Sequence, residues 1–179
     1  MTMDLKEAGD LVIVLGKTYP ELGGSEYFSM MGRSGNIPPK GRGSVAKKTF
    51  ACLEKAIGLG IVRSCHDISD GGMACALAES SFAGGLGIDA DLSKAPQTGI
   101  FRDDFLLFSE SQSRFIVSVK EKDLDQFQKI FRAVPYGVIG AVRADAKFII
   151  RGLDGNVVID TEIDALLEAW QRPFREMFK

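Results

Sequence analysis

Asp10-Leu-Val-Ile-Val-Leu-Gly16 is an unbroken apolar run closed by a glycine, and its reading decides the fold class. A strand sends successive side chains to opposite faces. An apolar run without polar alternation therefore describes a strand buried on both sides, as in a sheet covered by helices. Downstream, helical and strand patterns interleave. Residues 32–43 read as a loop, in which Pro38-Pro39 forbids helix. Ser44 is placed to cap a helix, and Ala46, Phe50, Leu53 and Ile57 give that helix its apolar stripe. Gly58 and Gly60 end it.

A strand at 61–65, a turn at 66–72 and an Ala-rich helix over 72–82 follow, with Gly84-Gly85 as the stop signal. Residues 115–119 alternate as a strand does, and Leu124, Phe127 and Phe131 mark an amphipathic helix. Further strands are expected at 137–142, 147–152 and 157–160. In the last element Thr161 and Asp164 resemble a capping box. There Ile163, Leu166, Leu167 and Trp170 form a stripe that should pack into the core, and Pro173 closes the helix. The fold class is α/β (α+β), a single mixed β-sheet covered by helices, with residues 1–179 as one domain and no internal repeat.

Composition narrows the functions. Hydrophobic residues make up 45% and charged residues 26% of 179, with a net charge of −2 and no block of like charge. A basic footprint for nucleic acid is missing, and runs such as Leu11–Leu15 are too short to span a bilayer. The start has no apolar signal core. Cys52, Cys65 and Cys75 are odd in number and lack C-x-x-C spacing, and a single His leaves too few ligands for zinc. A reduced, cytoplasmic setting follows, with the three thiols as small core residues.

Three polar stretches stand apart from ordinary packing. In His66-Asp-Ile-Ser-Asp-Gly-Gly72 a strand passes into a helix, where free backbone N–H groups can meet an anion. Asp67 and Asp70 would repel a phosphate unless a cation such as Mg²⁺ lay between them. The plainer reading makes Asp70 the helix cap and His66 a hydrogen-bonded structural residue, with no second partner in view to make it catalytic. Leu22-Gly-Gly-Ser-Glu-Tyr27 suits either a phosphate or a turn with Ser25 as cap. Ser109-Glu-Ser-Gln-Ser-Arg114, between two phenylalanines, is either a solvated loop or a hydrogen-bonding site, because buried polar groups are costly without partners.

Leu22–Tyr27, His66–Gly72 and Leu107–Arg114, taken in that order along the chain, resemble the final domain of the phosphoribosylformylglycinamidine synthase synthetase subunit, within the AIR synthase-related superfamily. The likeness extends to Val134-Pro-Tyr-Gly-Val-Ile-Gly140 and the closing Trp170 helix. It implies a ligase of purine biosynthesis built from two halves, each a dimerising domain followed by an α/β domain, with this chain as the second α/β domain. The implied reaction phosphorylates the formamide oxygen of formylglycinamide ribonucleotide with ATP. Ammonia, released from glutamine by a glutaminase subunit, then displaces the phosphate.

The resemblance places the catalytic His, the Mg²⁺ ligands and most ATP contacts in dimerising domains that would precede Met1. It therefore implies no catalytic or metal-ligating residue here, no tightly bound cofactor, and no activity of this chain alone. Its implied partners are those domains, the glutaminase subunit and a small bridging subunit. The ancillary ligand-binding residues it implies are Gly24 and Ser25; Asp67, Ser69, Asp70 and Gly71; and Glu110, Ser111, Gln112 and Arg114. The three turns are expected to converge on one face.

Overall fold

Strand β1 (Leu11–Leu15) realises the apolar run inside a seven-stranded sheet. Val12 and Val14 enter the core on one face, Ile13 and Leu15 the core on the other, and all four are at 0% exposure. The other strands are β2 (Val62–Asp67), β3 (Gly87–Asp91), β4 (Phe115–Val119), β5 (Tyr136–Arg143), β6 (Lys147–Arg151) and β7 (Val157–Glu162). Their order is β2-β4-β1-β5-β3-β6-β7. Every neighbouring pair is antiparallel except β3 with β6, so the sheet is mixed, as expected. The computed structural model describes residues 1–35 and 37–177, and Asn36, in the expected loop, lies outside the described residues.

Helices cover both faces. On one lie α3 (Gly72–Gly84), α4 (Asp103–Phe108) and α6 (Ile163–Met177), closing over Met73, Leu77, Leu106 and Ile163. On the other, α2 (Gly43–Gly58) and α5 (Leu124–Phe131) close over Leu53, Ala56, Phe127 and Phe131. The short α1 (Glu26–Met30) lies between β1 and α2 in the chain. Helix α3 approaches its neighbour closely: a Cβ on Gly72, whose φ is +70°, would fall 2.6 Å from the Leu107 carbonyl oxygen. Only glycine fits both the conformation and the space.

Several local expectations are corrected. Helix α2 starts at Gly43, so Ser44 lies within its first turn, and no side chain caps it. Its buried residues are Thr49, Leu53 and Ala56, while Phe50 is 50% exposed and meets the edge of Phe115. Strand β2 runs on through His66 and Asp67, which had read as turn. Strand β3 carries only two apolar side chains, Ile88 and Ala90, both buried, and Asp89 beside them pairs with Arg151. That is too little apolar alternation to announce a strand.

The largest correction concerns α6. Thr161 belongs to β7, so no capping box forms, and Pro173 lies inside the helix. Proline there removes the hydrogen bond to the Ala169 carbonyl, and Ala169 is exposed, so water can take its place. Of the expected stripe only Ile163 is buried, Leu166 and Leu167 are half-buried, and Trp170 is 51% exposed against Phe82. Cys75 is exposed, and Cys52 and Cys65 half-buried, all as free thiols. Burial, with the Asp67 charge beside it, pushes the Cys65 thiol up to about 11, which leaves it unreactive.

Core and stripe can be told apart by stability. Phe148→Ala, at a 1% exposed site, should cost about 3–5 kcal/mol. Trp170→Ala should cost no more than about 1–2 kcal/mol, the share due to partial burial. Urea denaturation of both variants measures the difference.

Candidate functional site

Each polar stretch is fixed by the element it borders. Ser25, 1% exposed, caps α1: its hydroxyl accepts from the Phe28 N–H at 3.2 Å and donates to the Leu22 carbonyl at 2.8 Å. The plain cap reading of this serine therefore describes its bonds. Asp70 does not cap α3. The N-cap is Gly71, in the left-handed region with φ 74°, and no side chain of its own turn reaches the helix N-terminus.

That task falls to Glu110. Its Oε1 accepts from the Gly71 N–H at 3.0 Å and from the Glu26 N–H at 3.0 Å. One carboxylate oxygen thus ties the first turn of α1 to the start of α3, and the three stretches meet on one face. A negative side chain at a helix N-terminus is favourable, so the chain meets with its own anion two of the donors that a phosphate would seek.

Beneath Glu110 lies a buried layer. Arg114 is 1% exposed. Its Nε donates to the Ser111 carbonyl at 2.7 Å, its Nη1 to the Thr18 hydroxyl at 2.8 Å and its Nη2 to the Ser109 carbonyl. The Ser109 hydroxyl donates to the Tyr19 carbonyl at 2.6 Å, and the Ser111 hydroxyl accepts from the Tyr19 N–H at 3.1 Å. The solvated-loop reading of this stretch is thereby corrected. Ser111 and Arg114, named as ligand contacts, are committed to internal bonds away from the surface. Burial lowers the Arg114 guanidinium to about 9 against the opposing pull of Glu21 and Glu110, so it stays charged at neutral pH.

Gly24, Asp67, Ser69, Asp70 and Gln112 remain at the surface. His66 has the partner that the sequence did not disclose: its Nε2 lies 2.6 Å from Glu79 Oε2, with Asp67 3.6 Å from Nδ1. The available signal was Glu79's position on α3, one turn beyond Cys75 on the same side. Among the described residues no three His, Cys, Asp or Glu side chains gather as a metal ion would require. The exposed acids therefore build no protein cage for Mg²⁺ by themselves, and Glu110 already holds one backbone donor at the start of each helix. Beside it, Tyr27 stacks on Phe108 and donates to Asp104, and Phe101 is 91% exposed.

Sequence and fold together define the class. The pattern of the family described as "AIR synthase related protein, C-terminal domain" matches residues 7–152, and the chain belongs to that family. The match ends one residue past β6, so β7 and α6 lie beyond it.

Within the class, the similarity is to one kind of subunit. The chain is 38% identical over 173 residues to the phosphoribosylformylglycinamidine synthase subunit PurL of Caldanaerobacter subterraneus subsp. tengcongensis, covering 95% of this chain and 23% of that protein. It is 40% identical over 141 residues to the PurL subunit of Thermococcus sibiricus, covering 79% and 20%. A solved structure of T. maritima PurL complexed with FGAR has the same fold, with a TM-score of 0.81 at 18% identity over 93% of this chain and 29% of that one. The chain spans about a fifth of the length of these curated relatives.

Mutation and pH both check the site. Arg114→Lys should cost about 3 kcal/mol, because an ammonium cannot reproduce the planar fork and leaves buried acceptors unpaired. Glu110→Ala should instead leave the core intact and speed amide exchange at Gly71 and Glu26. The second check is pH. Burial raises the Glu21 carboxyl, but the Arg42 guanidinium, 2.6 Å away, and the Ser111 hydroxyl outweigh it and hold it below the usual glutamate range. A depressed folded pKa stabilises fully above the unfolded value and is lost as pH falls through the folded one. Stability should therefore drop on acidification below the ordinary glutamate range, and Arg42→Met should flatten that drop.

Proposed function

We propose that residues 1–179 form the C-terminal domain of the second half of a phosphoribosylformylglycinamidine synthase synthetase subunit. The whole enzyme, cytoplasmic and dependent on ATP and Mg²⁺, would convert formylglycinamide ribonucleotide, ammonia and ATP to formylglycinamidine ribonucleotide, ADP and phosphate. An amide oxygen is a poor leaving group until it is phosphorylated, and ATP supplies that activation.

The observation that carries the reading is the Glu110 junction. Three stretches, distant in sequence, form one surface, yet one N–H at the start of each bordering helix, Glu26 and Gly71, is closed by the chain's own carboxylate. Such a surface supports a neighbouring domain's site better than it makes one. The exposed Met30 and Phe101 supply apolar area for a neighbour, which we take to be a dimerising domain of the same subunit. Glutaminase and small bridging subunits complete the proposed assembly. Gly24, Asp67, Ser69, Asp70 and Gln112 are the surface groups through which the junction would touch an ancillary nucleotide.

The isolated chain should release no ADP with ATP, formylglycinamide ribonucleotide and ammonia, and should bind ATP no tighter than about 1 mM. A coupled ADP assay and calorimetry test both. Substrate-dependent ADP release would overturn the domain assignment.

A further inference from the structure

A second cleft, of about 300 Å³, opens on the α2/α5 side, where β1 leaves the sheet. Its base is Gly16 and Ser113, one wall is Ala133, Val134 and Pro135, and α2 contributes Val45 and Lys48 to the other. The Gly16 N–H donates to the Pro135 carbonyl at 2.8 Å, which fixes the base to the wall. Lys17, Arg42 and Lys48 bring three cations to a lining without any acidic side chain.

The charges are not equivalent. Arg42 lies 3.6 Å over the Tyr19 ring and is paired with Glu21, so it is held in place and largely neutralised. Lys17 and Lys48 have no hydrogen-bond or ion-pair partner among the described residues. Two uncompensated ammonium groups in one small concavity raise its potential and favour an anion there.

The backbone adds a separate observation. Ser113, with φ 64°, is the one non-glycine with positive φ among the described residues. Its carbonyl oxygen would lie 2.9 Å from a Cβ on Gly16, itself at φ +86°. Non-glycine residues in this region are uncommon and gather where a surface is shaped for a ligand. Here the turn sends Arg114 into the interior while Gln112 and Ser113 face the cleft.

We propose that this cleft binds a small phosphate ester, with Lys17 and Lys48 supplying the charge, Gln112 a polar contact, and the Val134–Pro135 wall the surface for its organic part. Apolar walls with few polar groups are the usual make-up of such sites, and the volume is at the lower end of their range. The proposal does not rest on the Glu110 junction; Gln112 alone is common to both.

Phenyl phosphate serves as probe, with inorganic phosphate and phenol as its two halves, and binding is followed by amide shifts at Gly16, Ser113 and Lys48. Phenyl phosphate should saturate, inorganic phosphate should bind more weakly, and phenol should not bind. Lys17→Gln and Lys48→Gln, both at exposed positions that leave the core untouched, should each weaken binding about tenfold. Lys55→Gln, in a separate basic hollow between α2 and α5, should leave it unchanged, as should Glu110→Ala. The proposal fails if phenyl phosphate does not saturate by about 10 mM, or if Lys55→Gln weakens it as much as Lys48→Gln does. Loss of binding in Glu110→Ala alone would move the ligand to the junction and equally overturn it.

Discussion

Arg114 carries its charge into the interior, and each of its three nitrogens is held by a neighbouring turn: Ser109 and Ser111 on its own side, Thr18 across from it. An ion buried with one partner missing costs several kcal/mol, so these turns cannot open independently. Ser109 and Ser111 grip the Tyr19 backbone in return, which locks the stretch after β1 to the stretch before β4. Glu110 sits between the two serines that face inward. Its side chain is thereby directed outward, to the Gly71 and Glu26 N–H groups. The surface junction is a consequence of the buried cation beneath it.

That dependence explains what the sequence disclosed of the site and what it did not. The three stretches were recognisable as polar turns at the ends of core elements, and Ser25 as a cap. Their internal wiring was not, because the deciding partners lie far away in the chain: Thr18 for Arg114, Tyr19 for Ser109 and Ser111, Glu26 for Glu110. A run of six polar residues looks alike whether water or distant backbone satisfies it. Only the cost of burial hinted at the second option.

The fold shows the same division. Strands β1, β4, β5 and β6 were legible because each has apolar residues at strand spacing, and α5 because Leu124, Phe127 and Phe131 share a face. Strand β3 was silent, since it lives on its neighbours β5 and β6 and not on its own hydrophobicity. Helix α6 was misread in the opposite sense. Its stripe is real, but only Ile163 is fully buried, Leu166 packs against the core from its edge, and Trp170 covers Phe82 on the flank of α3. Periodicity tells which residues share a face. It does not tell how deep that face is buried.

The position of β1 also sets the order in which the molecule can assemble. Its partners are β4 and β5, so Leu11 pairs with Val119 on one side and Ala141 on the other. Helices α2 and α3 can cover its faces earlier, but no strand nearer in the chain pairs with either of its edges. On a ribosome, β1 must wait until its partners have been synthesised, open at both edges in the meantime as a sticky extended segment. Such long-range closure is slow and invites misassociation. Chaperone demand while this domain is made should therefore centre on β1, although that strand is among the best-buried parts of the finished domain.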